Sequence, residues 1–191
     1  MEAKADQVPQ DFLGKGNTVL MQMETDPAEM EKLAKRTRES GGRVILNLAP
    51  ALPIDRRVLG FVDYFILNEI EICQLAKYWS LESGDDYQQA ARIIAKDHDL
   101  VCIVTLGSKG AEAYAPEGDV VFAKAHPIKE VVDTTGAGDA FCGSFAAAFD
   151  KGLGLADAMN MACVVGSLAC LKRGAMPSYP TLAEVEIVLS H

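Results

Sequence analysis

Apolar residues in this chain come in short continuous runs rather than in strict alternation. Val19-Leu20-Met21-Gln22-Met23 is the first, ending at Glu24. Val44-Ile45-Leu46, closing at Asn47, Tyr64-Phe65-Ile66-Leu67 and Val101-Cys102-Ile103-Val104-Thr105-Leu106 follow. Runs of this length without polar alternation predict strands buried on both faces. Between them the pattern changes to helix. Asp26-Pro27-Ala28-Glu29 predicts a helix start, with Asp26 as N-cap, Pro27 in the first turn and Glu29 reaching back. That helix is expected to run to Ser40 and stop at Gly41-Gly42. Asn68-Glu69-Ile70-Glu71 opens a second helix directly after a strand. Gln88 to Lys96 is a third, with Ala91, Ile94 and Ala95 inward.

Farther on, Ala111–Ala115 and Val120–Ala123 predict a hairpin across Glu117-Gly118-Asp119. Two apolar helices come next, broken near Gly152 and Gly154, with Phe141, Phe145 and Phe149 as a core-facing stripe. A capping box, Thr181 to Glu184, starts the last helix. The opening residues are polar and carry no element signal. Strand–helix alternation with continuous apolar strands predicts an α/β fold, a mostly parallel sheet with helices on both faces in three layers. In such sheets ligands bind at the carboxyl ends of strands. Glu24, Asn47, Asn68 to Glu71 and Thr105 to Gly110 all follow strands, so they are expected at that edge.

Composition sets bounds on this picture. The chain of 191 residues suits one domain, 1–191, and its 49% apolar content argues against disorder. A net charge of −9 disfavours a nucleic-acid surface. The densest basic run, Lys32, Lys35, Arg36 and Arg38, is interleaved with Glu29, Glu31 and Glu39 and reads as a solvated helix face. The five cysteines are odd in number, unpaired in spacing and set among apolar residues, which suits a reducing, cytoplasmic compartment. The longest apolar segment, Met161 to Leu171, is too short to span a bilayer, and no secretory signal opens the chain.

The stretch with the most chemistry is Asp133-Thr134-Thr135-Gly136-Ala137-Gly138-Asp139, running into the apolar Ala140-Phe141. A glycine-lined turn opening a helix offers free N–H groups and the positive end of the helix dipole, an anion site. Gly136 and Gly138 leave room for a phosphate. A carboxylate beside it, Asp139, suggests taking a proton from a nucleophile. An ordinary helix start with Asp in its first turn is the alternative, since the dipole favours that as well.

This run closely resembles the C-terminal signature of the PfkB, or ribokinase-like, carbohydrate kinases. Asn68-Glu69-Ile70-Glu71 resembles that family's Asn-x-x-Glu element, and Thr105-Leu106-Gly107-Ser108-Lys109-Gly110 its nucleotide-binding turn. Leu20 to Glu24, Asn47 to Ala51 and Arg173 to Pro180 are similar to segments of its ribose-phosphorylating members. The likeness covers the chain from about Val19 onward, with the motifs in order.

The resemblance implies transfer of the ATP γ-phosphoryl group to a sugar hydroxyl, most simply ribose to ribose 5-phosphate. It implies that Gly136, Ala137 and Gly138 hold the transferring phosphate and that Asp139 is the base. ATP would be contacted by Asn68, Glu71, Thr105, Gly107, Ser108, Gly110, Gly138 and Cys163, with Glu71 ordering magnesium through water. The departure at Cys163, where relatives often have His or Asn, favours an apolar contact with adenine. A monovalent cation, usually potassium, would sit among Asp133, Thr135, Ala169, Lys172, Gly174 and Ser178. Of the sugar contacts only Glu24 and Asp139 have matching positions. The family's N-terminal strands, β lid and paired glycines are not in this sequence, which resembles roughly the last three-fifths of such a kinase. Missing neighbouring strands would expose a sheet edge, so self-association, most simply as a dimer, or marginal stability is expected. A silent nucleotide-binding or oligomerisation module is the alternative function.

Overall fold

The computed structural model describes residues 3–190. Strands β1 (Thr18–Gln22), β2 (Arg43–Asn47), β3 (Tyr64–Asn68), β4 (Val101–Thr105), β5 (Gly110–Tyr114) and β6 (Val120–Lys124) form one sheet in that order. Helices α1 (Pro27–Glu39), α2 (Glu69–Tyr78), α3 (Tyr87–His98), α4 (Ala137–Asp150), α5 (Leu155–Ala169) and α6 (Leu182–Leu189) complete the fold. The elements match the hydrophobic pattern, with ends shifted by a residue or two where strands continue into polar positions. The described residues form two compact units. One holds the chain up to Thr105 with Ala113–Val120, and the other Leu106–Glu112 with the chain from Val121 on.

In the first unit β1 to β4 pair in parallel, with Leu20 opposite Ile45, Leu46 opposite Phe65 and Phe65 opposite Cys102. Parallel neighbours need long crossovers, which α1 and the α2–α3 pair supply. Val44, Ile45, Leu46, Phe65, Cys102, Ile103 and Val104 are fully buried. Asp26 caps α1 by accepting from the Ala28 amide at 2.8 Å, as expected. Glu29 does not reach back to it. Its Oε2 accepts from the Ala5 amide at 2.6 Å instead. The opening residues, silent in the sequence, form two 3-10 turns, with Ala5 buried in the first and Leu13 buried just after the second. Arg36 of α1 holds this segment through the Ala5 and Val8 carbonyls and the Gln10 side chain. Backbone carbonyls have no sequence signature, so periodicity does not reveal the docking.

The second unit is built around α4 packed on α5. Phe141 and Phe145 stack at 6.2 Å between centroids, and Phe145 meets Phe149 edge-on at 5.0 Å. Cβ atoms on one helix face reappear every three to four residues, so the predicted stripe becomes a continuous ladder. Gly166 lets the helices approach: a Cβ there would lie 3.3 Å from the Ala137 carbonyl oxygen. Cys142 is buried on α4, while Ala158, Met159, Ala162 and Ala169 are buried on α5.

Candidate functional site

In the second unit the glycine turn opens α4. Gly136 is the N-cap residue, with φ +80° in the left-handed region, and Ala137, Gly138 and Asp139 form the first turn. As the N-cap, Gly136 offers no side chain to accept from the amides of this helix. The backbone itself holds the turn, through Ala137 N to Thr134 O at 3.2 Å and Ala140 N to Gly136 O at 2.8 Å. Gly138 and Asp139 are exposed, while Gly136 and Ala137 are half-buried. A helix start whose N-cap carries no side chain and whose first turn is partly exposed presents partial positive charge to whatever docks there.

The two glycines differ in what requires them. Gly136 is demanded from within, because its φ suits only glycine and because a Cβ would stand 2.8 Å from Ala175 Cα. A Cβ on Gly138 would meet nothing within 4 Å. Glycine inside a helix costs about 1 kcal/mol relative to alanine. Nothing in the unit's own packing requires glycine at Gly138, and the space beside it is open.

Asp133 clasps two loops. Its Oδ1 accepts from the Thr135 amide at 2.9 Å and from the Thr135 hydroxyl at 2.7 Å. Its Oδ2 accepts from the Gly174 amide at 2.9 Å. The Gly174 amide first, then the Thr135 amide and hydroxyl, hold its carboxyl down at about 2. Val132 N adds a bond to Cys170 O at 2.9 Å, just past the end of α5. Ser178 is fully buried and not a solvent-facing loop residue, and its hydroxyl donates to Ala175 O at 2.6 Å. The Lys172 ammonium turns away to Glu184 at 3.3 Å, leaving its main chain in the loop. Ala169 ends α5, where the last helical carbonyls lack intrahelical partners. Asp133, Thr135, Ala169, Lys172, Gly174 and Ser178 therefore lie along two hydrogen-bonded loops and one helix end. Their donors are all oxygens, and mostly neutral ones, which suits a weakly hydrated monovalent cation.

Also in this unit, Gly107–Lys109 form a 3-10 turn closed by Leu106 N to Gly110 O at 2.8 Å. Gly107 has φ +56° with open space around it, and Ser108 is exposed. Gly110 has an internal reason: a Cβ would stand 2.0 Å from Ala123 O across the hairpin. Close backbone approach at Gly110 is therefore used by β6. Cys163 is buried on α5, its thiol donating to Ala123 O at 3.5 Å, and burial pushes it up to about 11. It is a packed, unreactive thiol.

In the first unit Asn68 and Glu71 cap α2 reciprocally. Asn68 Oδ1 accepts from the Ile70 and Glu71 amides, both at 2.9 Å, and Glu71 Oε2 accepts from the Asn68 amide at 2.7 Å. Burial raises the Glu71 carboxyl, against the pull of that amide. Glu71 lines a cavity of about 120 Å³ with Leu48, Leu52, Pro53, Leu75 and Tyr78. One carboxylate oxygen serves the helix cap and the second is not needed for it, so a hydrated magnesium ion, which binds through few carboxylates, is compatible with this residue. Among the described residues no group of three or more His, Cys, Asp and Glu is arranged to hold a metal directly. Thr105 stands opposite Asn68 in the β3–β4 register. Glu24 is exposed, two residues past β1.

Two features were missed from sequence. Asn47 is buried, donating to Ile66 O at 3.0 Å and accepting from Gln22 at 3.1 Å, which ties the ends of β1, β2 and β3. Asn and Gln at the last positions of apolar strands were the available signal. The second is Tyr179, whose ring lies against Gly136 and whose phenol is raised by burial and by the Asp139 charge. Forty-two residues of intervening chain hide its contact with Gly136.

A family model described as pfkB family carbohydrate kinase matches residues 1–182, so the likeness reaches past Val19 to the chain's start. Ribokinase of Lactococcus lactis is 36% identical over 172 residues, covering 90% of this chain and 53% of that protein. Ribokinase of Schizosaccharomyces pombe is 30% identical over 174 residues, covering 89% and 54%. Among solved structures, ribokinase of Thermotoga maritima superposes with a TM-score of 0.89 at 29% identity, covering 98% of this chain and 61% of that one. Arabidopsis thaliana ribokinase complexed with ribose and ATP gives 0.82 at 30% identity, covering 91% and 56%. The α/β fold with a mixed six-stranded sheet is that of these structures. The chain spans about half the length of the curated relatives it matches. Among the described residues no helix is long and apolar enough to cross a membrane.

Proposed function

Since this chain belongs to the pfkB family of carbohydrate kinases, we propose that it provides the ATP-binding and phosphoryl-transfer part of a sugar kinase, with ribose the favoured acceptor. The observation that carries this is the glycine-capped start of α4, with Gly138 open to solvent and Asp139 next to it in the first turn. Phosphoryl transfer asks little covalent chemistry of the protein beyond positioning, charge stabilisation and a base. The amides of Gly136, Ala137 and Gly138 hold the transferring phosphoryl oxygens, as an oxyanion hole does. Asp139 accepts the proton of the attacking sugar hydroxyl. That proton becomes acidic only as the bond to phosphorus forms, so an ordinary carboxylate suffices.

Asn68, Glu71, Thr105, Gly107, Ser108, Gly110 and Cys163 serve the nucleotide. Asn68 and Thr105, paired in register, take phosphate contacts, and Cys163 gives adenine an apolar wall. Gly110 contributes by shaping the hairpin. Glu71 would hold a magnesium ion through its waters, and the ion would spread the charge of the phosphates. A potassium ion would be held by Asp133, Thr135, Ala169, Lys172, Gly174 and Ser178, stiffening the loops behind the cradle. Glu24 is a sugar contact.

A second reading is a silent nucleotide-binding or oligomerisation module, favoured by β1, which ends the strand order with its Leu20 exposed. Calorimetric titration of the chain with ATP–magnesium, beside an assay of ribose 5-phosphate formation, separates the two. Binding with turnover abolished by Asp139→Asn supports the kinase. Binding without any turnover supports the module, and absence of binding overturns both.

A further inference from the structure

Gly136 is walled in by Ala175 and Tyr179, two residues to which the phosphoryl-transfer scheme gives no task. A Cβ on Gly136 would stand 2.8 Å from Ala175 Cα, 2.9 Å from Ala175 Cβ and 3.2 Å from Tyr179 Cε1. Ala175 and Tyr179 flank a 3-10 turn, Met176–Ser178. The turn is closed by Ser178 N to Ala175 O at 3.0 Å and anchored by the fully buried Ser178. Just before it, the Gly174 amide is held by Asp133. The wall is therefore stiff at both ends.

Such a wall has something to do. Glycine populates positive and negative φ about equally, so a glycine N-cap does not hold its own conformation. Gly136 has no side chain with which to cap α4, so locally only the backbone bonds of the turn restrain it. A further restraint comes from outside. Tyrosine supplies a broad, rigid edge with only two side-chain torsions to order.

We infer that Tyr179 is a positioning residue for the anion cradle: with Ala175 its ring confines Gly136 to the left-handed region and so fixes where the following amides point. The contact stands on geometry alone, while its consequence for phosphate binding rests on the function proposed above. Tyr179 touches neither the proposed phosphate nor the reacting atoms in this role. It acts through Gly136.

The test uses the 191-residue chain as wild type, Tyr179→Phe and Tyr179→Ala. Hydrogen exchange is read at the amides of Ala137 and Ala140, which close the turn onto Thr134 O and Gly136 O. Tyr179→Ala is expected to speed exchange there by about tenfold, a local opening, while amides of β2 and β4 keep their wild-type rates. Tyr179→Phe keeps the ring edge and is expected to restore wild-type exchange. ATP–magnesium affinity should follow the same order, weakened in Tyr179→Ala and kept in Tyr179→Phe. Wild-type exchange in Tyr179→Ala overturns the inference, as does equal acceleration in both variants or acceleration spread through β2 and β4. Should Tyr179→Ala not fold, Ala175→Gly thins the same wall from its other side and is judged by the same amides. Exchange is read without nucleotide, so local acceleration with no ATP binding in the wild type would leave the positioning intact and reject the kinase reading instead.

Discussion

Asp133 Oδ2 accepts a hydrogen bond from the Gly174 amide at 2.9 Å across 41 residues of chain. That bond joins the loop leading into α4 to the loop leaving α5, and the Asp133 carboxyl is held at about 2 largely because of it. A carboxyl lowered on folding makes the unfolded state the better proton acceptor, so acid favours unfolding. Its stabilisation is full above the ordinary value of 3.8 and is lost as pH falls toward about 2. Asp133→Ala should therefore lower the thermal midpoint at pH 6 and flatten its decline through that acid window. An unchanged acid profile would show that the clasp carries no stability.

Gly136→Ala and Gly138→Ala should have opposite effects on stability. At Gly136 a left-handed alanine costs on the order of 1–2 kcal/mol, and the Ala175 clash adds to it. At Gly138 alanine meets open space and gains at most about 1 kcal/mol from helix propensity. Urea unfolding should show the first variant weaker and the second equal or stronger, while calorimetry shows Gly138→Ala losing ATP affinity. A Gly138→Ala chain that binds ATP as well as wild type would remove the phosphate from that turn.

Asp139→Asn keeps the shape of the side chain and removes the base. Turnover should fall by roughly 10²- to 10⁴-fold, with ATP affinity retained. This is measured by ribose 5-phosphate formation in a chain that turns over. Equal loss of binding and turnover would instead make Asp139 part of the nucleotide site.

His98 packs against Trp79, with ring centroids 6.0 Å apart, and the Arg56 guanidinium covers the other ring system at 5.0 Å. Burial first, and Arg56 as well, lower its pKa below 6.5, with Asp97 opposing. A lowered histidine is protonated more readily when unfolded, so stability is greatest above 6.5 and declines as pH falls through the folded value. His98→Gln should remove this step from urea midpoints measured between about pH 5 and pH 8. Trp79 fluorescence in the native state should change over the same range in wild type only.

β1 ends the strand order, and its Leu20 is 37% exposed. Apolar edge strands recruit further strands. Sedimentation of the chain should show dimers or larger species that Leu20→Lys disperses. A stable monomer at high concentration would reject self-association through this strand.

Much of this protein is set by local rules acting on neighbouring residues. Continuous apolar runs made the parallel strands, Asp26, Asn68 and Thr181 capped their helices, and the phenylalanine stripe of α4 became its core face, because period and capping depend on positions a few residues apart. The glycine turn and Asp139 were legible for the same reason, and the family comparison confirmed the kind of protein they belong to. Contacts between distant segments decided the rest. Why Gly136 must be glycine depends on Ala175 and Tyr179, why Gly110 must be depends on Ala123, and Glu29 left its own helix cap for Ala5. Those assignments follow from packing and hydrogen bonding across tens of residues, where the available partners exist only once the chain has folded.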